Sequence, residues 1–356
     1  DAAARAGDDG AAKEGCVHGS IRGPGCAIVR SSHNFARETA VAAQPDLLTV
    51  AKLAPFLMEP LQRAFTVHER LHEGDAGAFA RIAPQIRAIC GSGESKVSAE
   101  LMPRLPALEI VSIMGVGYDG VDVAAAKARG VMVAHTPDVL NDDVADLALA
   151  LMLNIARRIA QADQYVRQGK WPSGPMPLAR KMSGARLGIV GMGRIGQAIA
   201  DRAKAFGMSI AYTARSAKAG LPYAFHARVA DLAAASDFLV CITPGGAATR
   251  KLIDAEVLRA LGPAGYLVNV ARGSVVDEAA LIEALHKGTI AGAGLDVFEN
   301  EPHVPEALRA LDNVVLVPHI GSATVQTRHA MAARAFANLE AHFAGRPLPS
   351  AVPECR

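Results

Sequence analysis

Long hydrophobic runs are missing from this sequence. The longest, such as LALALML at 147–153, fall far short of the ~20 apolar residues needed to span a bilayer, so no membrane partner is expected. An excess of one charge is missing too. Thirty-seven Lys and Arg against 35 Asp and Glu leave a formal +2, which supplies no electrostatic reason to bind nucleic acid or a membrane surface. Cysteine is sparse: Cys16, Cys26, Cys90, Cys241 and Cys355 form no C-x-x-C pair and show no metal-ligand spacing. No metal site is therefore expected, and the scattered, odd set fits a reducing, cytoplasmic compartment. Tryptophan occurs once, as Trp171.

Residues 1–45 lack apolar period and are expected to be a disordered or non-native leader. No apolar stretch of signal-peptide type follows the small, polar opening DAAARAGDDGAAKEG, and its acidic residues argue against a transit peptide. No internal repeat or low-complexity tract follows it.

What is present is a regular alternation of short apolar runs and helical stretches. In a chain of 356 residues, 51% apolar, this suggests two domains with sizeable cores. The first series is LLTV (47–50), FTVHE (65–69), IRAIC (86–90), LEIVSIM (108–114) and VMVAH (131–135). The second is LGIV (187–190), SIAYT (209–213), FLVCI (238–242), YLVNV (266–270), GAGLDV (292–297) and VVLVP (314–318). Such alternation implies parallel βαβ units, hence an α/β fold with two doubly wound sheets. Between the series, 142–169 reads as one long helix with an apolar front and Asp142 or Asp143 at its start, with a hinge near its beginning. A final helix at 328–345 is placed to cross back to the first domain. The expected division is 46–141 with 325–356 for one domain and 142–324 for the other.

The stretch RLGIVGMGRIGQAIADRAKAFG holds G-x-G-x-x-G at Gly191, Gly193 and Gly196, after an apolar strand and opening a helix, which is the context the motif requires. Gly191 permits the tight turn, Gly193 lets backbone approach a pyrophosphate, and Gly196 lets helix pack on strand. Helix-start N–H groups then face the anion. Arg194, inside the turn, can add a phosphate contact.

With that turn in place, VNVARGSVVDEAAL (268–281), AGAGLDVFENEPHVP (291–305) and VVLVPHIGSAT (314–324), together with HTPDVLNDDVADLAL (135–149) and GKWPSG (169–174), resemble the D-isomer-specific 2-hydroxyacid dehydrogenases over about 45–353. Within them the sequence is most similar to NADPH-dependent glyoxylate and hydroxypyruvate reductases. The resemblance implies a flavodoxin-like substrate domain beside a Rossmann cofactor domain. It also implies an active site of Arg272, Glu301 and His319.

Chemistry supports that assignment. Arg272 offers a forked, permanent charge matched to the carboxylate of a 2-oxo acid. His319 suits proton donation near neutral pH. Glu301 can orient His319 and stabilise its charged form. The resemblance gives neither His303 nor His135 a role in proton transfer. Asp296 corresponds to the carboxylate that meets the nicotinamide carboxamide, and a cofactor amide is expected to be the partner that an acid inside an apolar strand needs. The resemblance also carries Ile195, Thr243, Pro244, Val270 and Gly321 to the cofactor. It carries Gly91, Ser92, Gly93, Val116 and Gly117 to the substrate carboxylate, through backbone N–H groups. The arm bearing Trp171 is expected to cross a homodimer interface and limit substrate size at the neighbour's site.

At the end of the second strand of the cofactor domain, where NAD-specific relatives carry Asp, the sequence has TARSAKAG (213–220). Arg215, Ser216 and Lys218 can hold a 2′-phosphate, so NADP is favoured and NAD remains possible. Two alternatives stay open: a dehydrogenase of another D-2-hydroxy acid, or a nucleotide-sensing, corepressor-like binding protein on the same scaffold.

Overall fold

A computed structural model describes residues 44–355. The leader expected at 1–45 lies outside the described residues except for Gln44 and Pro45, and Cys16 and Cys26 lie outside them as well.

Twelve strands occur among the described residues, in two wholly parallel sheets. The first sheet contains β1 (Asp46–Thr49), β2 (Thr66–Glu69), β3 (Ile86–Ser92), β4 (Ile110–Met114) and β5 (Met132–Ala134), in the order β2-β1-β3-β4-β5. This is the flavodoxin-like order. The second contains β6 (Arg186–Val190), β7 (Ser209–Thr213), β8 (Ala224–Phe225), β9 (Phe238–Cys241), β10 (Tyr266–Asn269), β11 (Gly292–Leu295) and β12 (Val314–Leu316). Its order, β12-β11-β10-β9-β6-β7-β8, is that of the doubly wound dinucleotide fold with β12 added at one edge. The central strands β4, β9 and β11 are short apolar runs buried on both faces, as parallel sheets covered by helices require, while the edge strands β2 and β8 bury no residue fully.

The apolar front of 142–169 is divided between two helices, not carried by one. Asn141–Arg157 and Ile159–Arg167 are separated by Arg158 in the left-handed conformation, φ 54°. The Asn154 side chain accepts from the Ala160 N–H at 3.0 Å, satisfying a donor that the break exposes. The first of these helices buries Ala148, Leu151, Met152 and Ile155 and packs on β10, β11 and β12.

The last helix, Val325–Phe343, begins at the Thr324 cap and returns to the first sheet. Ser112 in β4 donates to the Ala335 carbonyl at 2.9 Å, and the Val352 N–H donates to Val133 at 2.9 Å. Cys90 and Cys241 are free and fully buried, and burial pushes each thiol up to about 12. They are packing residues. Among the described residues, no helix is long and apolar enough to cross a membrane.

Candidate active site

Open parallel sheets bind ligands beyond the carboxyl ends of their strands. Gly91–Gly93 end β3, Val116–Gly117 follow β4, Gly191 follows β6, Arg272 follows β10, Asp296 follows β11 and His319 follows β12.

The turn holding Arg272 is clamped from behind. The Asn269 side chain accepts from the Ala271 N–H at 3.1 Å and donates to the Arg272 carbonyl at 3.0 Å. The guanidinium donates through Nη1 to the Ala271 carbonyl at 2.8 Å and through Nε to Asp119 at 3.2 Å. Its free Nη2 edge fills the space over Gly117, where an added Cβ would overlap it; over Gly93 a Cβ would lie 3.8 Å away. Both loops expected to hold substrate therefore meet Arg272. The N–H groups of Gly93, Val116 and Gly117 donate to no described residue. That of Ser92, expected to face the substrate, instead donates to Ser95 Oγ at 2.8 Å, closing the turn that shapes its own loop. Val116 is fixed through its carbonyl, which accepts from His135 Nδ1 at 2.9 Å.

His319 sits at φ 52°, in the left-handed region. Its Nδ1 is 2.7 Å from Glu301 Oε2, while Glu301 Oε1 accepts from the Phe298 N–H at 2.9 Å. Burial pushes the imidazole down. The hydrogen bond and charge of Glu301, with the charge of Glu94, outweigh it and hold His319 above its usual range. Burial pushes Glu301 up, but the His319 hydrogen bond, the Phe298 N–H and nearby cations bring it below the usual carboxylate range. Each partner thus favours the charged form of the other, and Nε2 is free of described partners. His303 is exposed.

Asp296 corrects one expectation. Its buried carboxylate is satisfied by the protein, accepting from Ile320 N–H at 2.6 Å and Gly321 N–H at 2.9 Å. Burial nonetheless holds it above the usual range. The Asp296 carbonyl also accepts from the His319 N–H at 2.9 Å, so this acid shapes the turn that presents the imidazole.

The glycine turn is built as its motif requires. Gly191 has φ 109°, and a side chain there would strike the Ile242 carbonyl at 2.8 Å. Gly196 lies so close to the Gly191 carbonyl that a Cβ would overlap it, whereas a Cβ on Gly193 would meet nothing within 4 Å. The open side above Gly193 faces the start of the twelve-residue helix Arg194–Ala205, where Ile195 is half-buried. Arg194 pairs with Asp138 at 3.1 Å, both largely exposed. Thr243 packs beside the turn, since its N lies 2.9 Å from where a Gly191 Cβ would stand; Pro244 is the next residue along, and Val270 is buried, its N–H donating to the Cys241 carbonyl at 3.2 Å. The Gly191 N–H donates to the Thr213 carbonyl at 3.0 Å, which ties the turn to the loop after β7. There Arg215, Ser216 and Lys218 are exposed, and their side chains pair with no described residue. Tyr212 Oη accepts from the Lys218 N–H at 2.7 Å and fixes that loop.

Trp171 is not brought to this site. It occupies a short turn, Trp171–Ser173, is 67% exposed and makes no ring contact with described residues.

The family model for the D-isomer specific 2-hydroxyacid dehydrogenase NAD binding domain matches residues 149–321. A hydroxyphenylpyruvate reductase of Plectranthus scutellarioides is 47% identical over 307 residues, spanning 86% of this chain and 98% of that protein. The chain belongs to the D-isomer specific 2-hydroxyacid dehydrogenases. A glyoxylate/hydroxypyruvate reductase of Arabidopsis thaliana is 50% identical over 267 residues, 75% of this chain and 85% of its own. The crystal structure of an NADPH-dependent glyoxylate/hydroxypyruvate reductase from Sinorhizobium meliloti, in complex with NADP and malonate, superposes with TM-score 0.82 at 46% identity, covering 88% and 98% of the two chains.

This dehydrogenase also contains site residues not singled out from its sequence. Asp119 holds Arg272, and Glu94 lies 3.1 Å from His319 Nδ1. Both sit in the glycine-bracketed loops after β3 and β4, GSGESKV and VGYDG. The signal was an acid beside loop glycines; nothing local in the sequence showed which cation it would meet.

Proposed function

We propose that this dehydrogenase reduces small 2-oxo acids, glyoxylate and hydroxypyruvate, to glycolate and D-glycerate, with NADPH as reductant. The observation carrying this reading is the convergence of a clamped arginine fork, two loops with free N–H groups and a carboxylate-backed imidazole in one crevice. In this reading Arg272, with the N–H groups of Gly93, Val116 and Gly117, holds the substrate carboxylate. His319 donates a proton from Nε2 to the developing alkoxide, and Glu301 keeps the ring oriented and charged. Gly91 and Ser92 shape the loop.

The chain's own residues fit a dinucleotide phosphate. Gly193 leaves open space before a helix N-terminus, and Arg215, Ser216 and Lys218 offer unpaired donors. When bound, a nicotinamide cofactor supplies the hydride. The three donors support NADPH, with NADH as the weaker cofactor, in keeping with the NADPH-dependent relative. Residues 46–141 with 325–355 form the substrate side and 142–324 the cofactor side. The plant hydroxyphenylpyruvate reductase favours a second reading, reduction of an aromatic 2-oxo acid by the same machinery.

The arm supports a homodimer. In and around it, Ile159, Val166, Trp171 and Leu178 are all at least half exposed, apolar side chains that a second copy would cover. A cytoplasmic location is in keeping with the free, buried Cys90 and Cys241. Steady-state kinetics on a panel of 2-oxo acids with both reduced cofactors tests the assignment. Turnover of neither small acid would return it to the aromatic or nucleotide-sensing alternatives.

A further inference from the structure

The imidazole of His319 faces two carboxylates, and they come from opposite sides of the crevice. Glu301 follows β11 in the second sheet. Glu94 follows β3 in the first, one residue beyond Gly93. Heteroatoms of Glu94, Glu301 and His319 lie within 4.8 Å of one another. Two carboxylates this close repel, and a positive charge between them removes the penalty. Nδ1 has one proton. Its hydrogen bond goes to Glu301 at 2.7 Å, so Glu94, at 3.1 Å, acts through charge.

The loop places Glu94 there by construction. Ser95 is buried, its N–H donates to the Ser92 carbonyl at 3.1 Å, and its Oγ accepts from the Ser92 N–H at 2.8 Å. Val97 N–H donates to the Gly120 carbonyl at 2.9 Å, tying this loop to the one that carries Asp119. A Cβ on Gly91 would strike Ser95 Oγ at 2.6 Å, so the turn closes only over glycine. Glu94 projects from that locked turn.

The other charges near the imidazole are Arg272, which opposes its protonation, and Asp296, whose carboxylate is bonded to Ile320 and Gly321. Glu94 is the charged group near His319 that rides on the substrate-side sheet together with the Gly93 N–H.

We propose that Glu94 is a positioning residue that stabilises the protonated form of His319 when the loop after β3 is seated against the end of β12. The proton donor is then made ready by the same loop that presents N–H groups to the substrate. The consequence for turnover rests on the reductase reading above; the effect on His319 does not. Because the Glu94 side chain is 62% exposed, its influence is smaller than that of Glu301 and is screened by salt.

The test is a titration of the His319 ring by NMR on histidine-labelled protein without cofactor or substrate, with His319→Asn used for assignment. Glu94→Gln is expected to lower the His319 pKa by about half a unit. Glu94→Asp retains part of the effect, and raised salt shrinks the difference between parent and Glu94→Gln. An unchanged His319 pKa in Glu94→Gln overturns the proposal. In kinetics, the alkaline limb of kcat/KM for glyoxylate reduction shifts down in Glu94→Gln. An equal loss at every pH, with the limb unmoved, overturns it too, because that is what a purely structural role produces. Absence of glyoxylate turnover in the parent protein contradicts the reductase reading and leaves the NMR result to decide on Glu94.

Discussion

His319 Nδ1 lies 2.7 Å from Glu301 Oε2, and the second oxygen of that carboxylate is held by the Phe298 N–H at 2.9 Å. The acid is fixed before it meets the imidazole, so it sets both ring orientation and charge. Reduction of a carbonyl needs the imidazolium, so kcat/KM for reduction falls as pH rises through the His319 pKa. That pKa is held above the usual histidine range by Glu301 against the opposing effect of burial. Glu301→Gln removes the negative charge and is expected to move the alkaline limb to lower pH by about one unit. On the proposed mechanism, His319→Ala removes the proton donor and costs about 10²–10⁴ in kcat. Loss of less than tenfold would remove His319 from the mechanism.

Arg272 is held by Asp119 through Nε, and its Nη2 edge lies over the glycines of both substrate loops. Arg272→Ala is expected to lower kcat/KM for the oxo acid by roughly thirtyfold or more, the equivalent of a charged hydrogen bond of about 2 kcal/mol. Arg272→Lys keeps the charge but not the fork, and recovers only part of the loss. Full recovery by Lys would show that charge alone suffices.

The last two glycines of the turn separate folding from binding. At Gly196 an added Cβ would overlap the Gly191 carbonyl, while at Gly193 it would meet nothing within 4 Å. Gly196→Ala should therefore destabilise the protein itself by about 1–3 kcal/mol. Gly193→Ala should melt like the parent yet bind NADPH more weakly, since the methyl enters the open space that the proposed reading gives to phosphate. Thermal melts without cofactor, paired with NADPH titrations, check both halves.

Much of this was legible in advance because parallel βα proteins announce themselves locally. Eleven apolar runs mark eleven of the twelve strands; β8, Ala224–Phe225, is two residues long and too short to show a period. The break at Arg158 was illegible for a related reason. ARRIAQAD holds no glycine or proline, and the left-handed residue is stabilised by an Asn154 bond that appears only once the helix has turned away. Arg272, Glu301 and His319 were readable from motifs adjoining strand ends. Asp119 and Glu94 were not, because each acts on a residue more than 150 positions distant. Asp296 showed the limit of arguing from burial alone. A buried acid does need donors, but two backbone N–H groups of the next turn supply them.

The exposed apolar arm gives a prediction on assembly. Leu178 is fully exposed and Trp171 two-thirds exposed. Sedimentation should show a dimer in the parent protein, and Leu178→Asp should weaken it without altering the far-ultraviolet dichroism. A monomeric parent would remove the arm from the interface.

The central claim is that this dehydrogenase is an NADPH-dependent reductase of small 2-oxo acids, with Arg215, Ser216 and Lys218 choosing the cofactor. The most direct measurement is kcat/KM for glyoxylate and hydroxypyruvate with NADPH and with NADH, in the parent protein and in Arg215→Ala. The account predicts turnover of both acids, preference for NADPH, and a loss of about tenfold or more with NADPH but not with NADH in the variant. A parent protein that prefers NADH, or turns over neither acid, would contradict it.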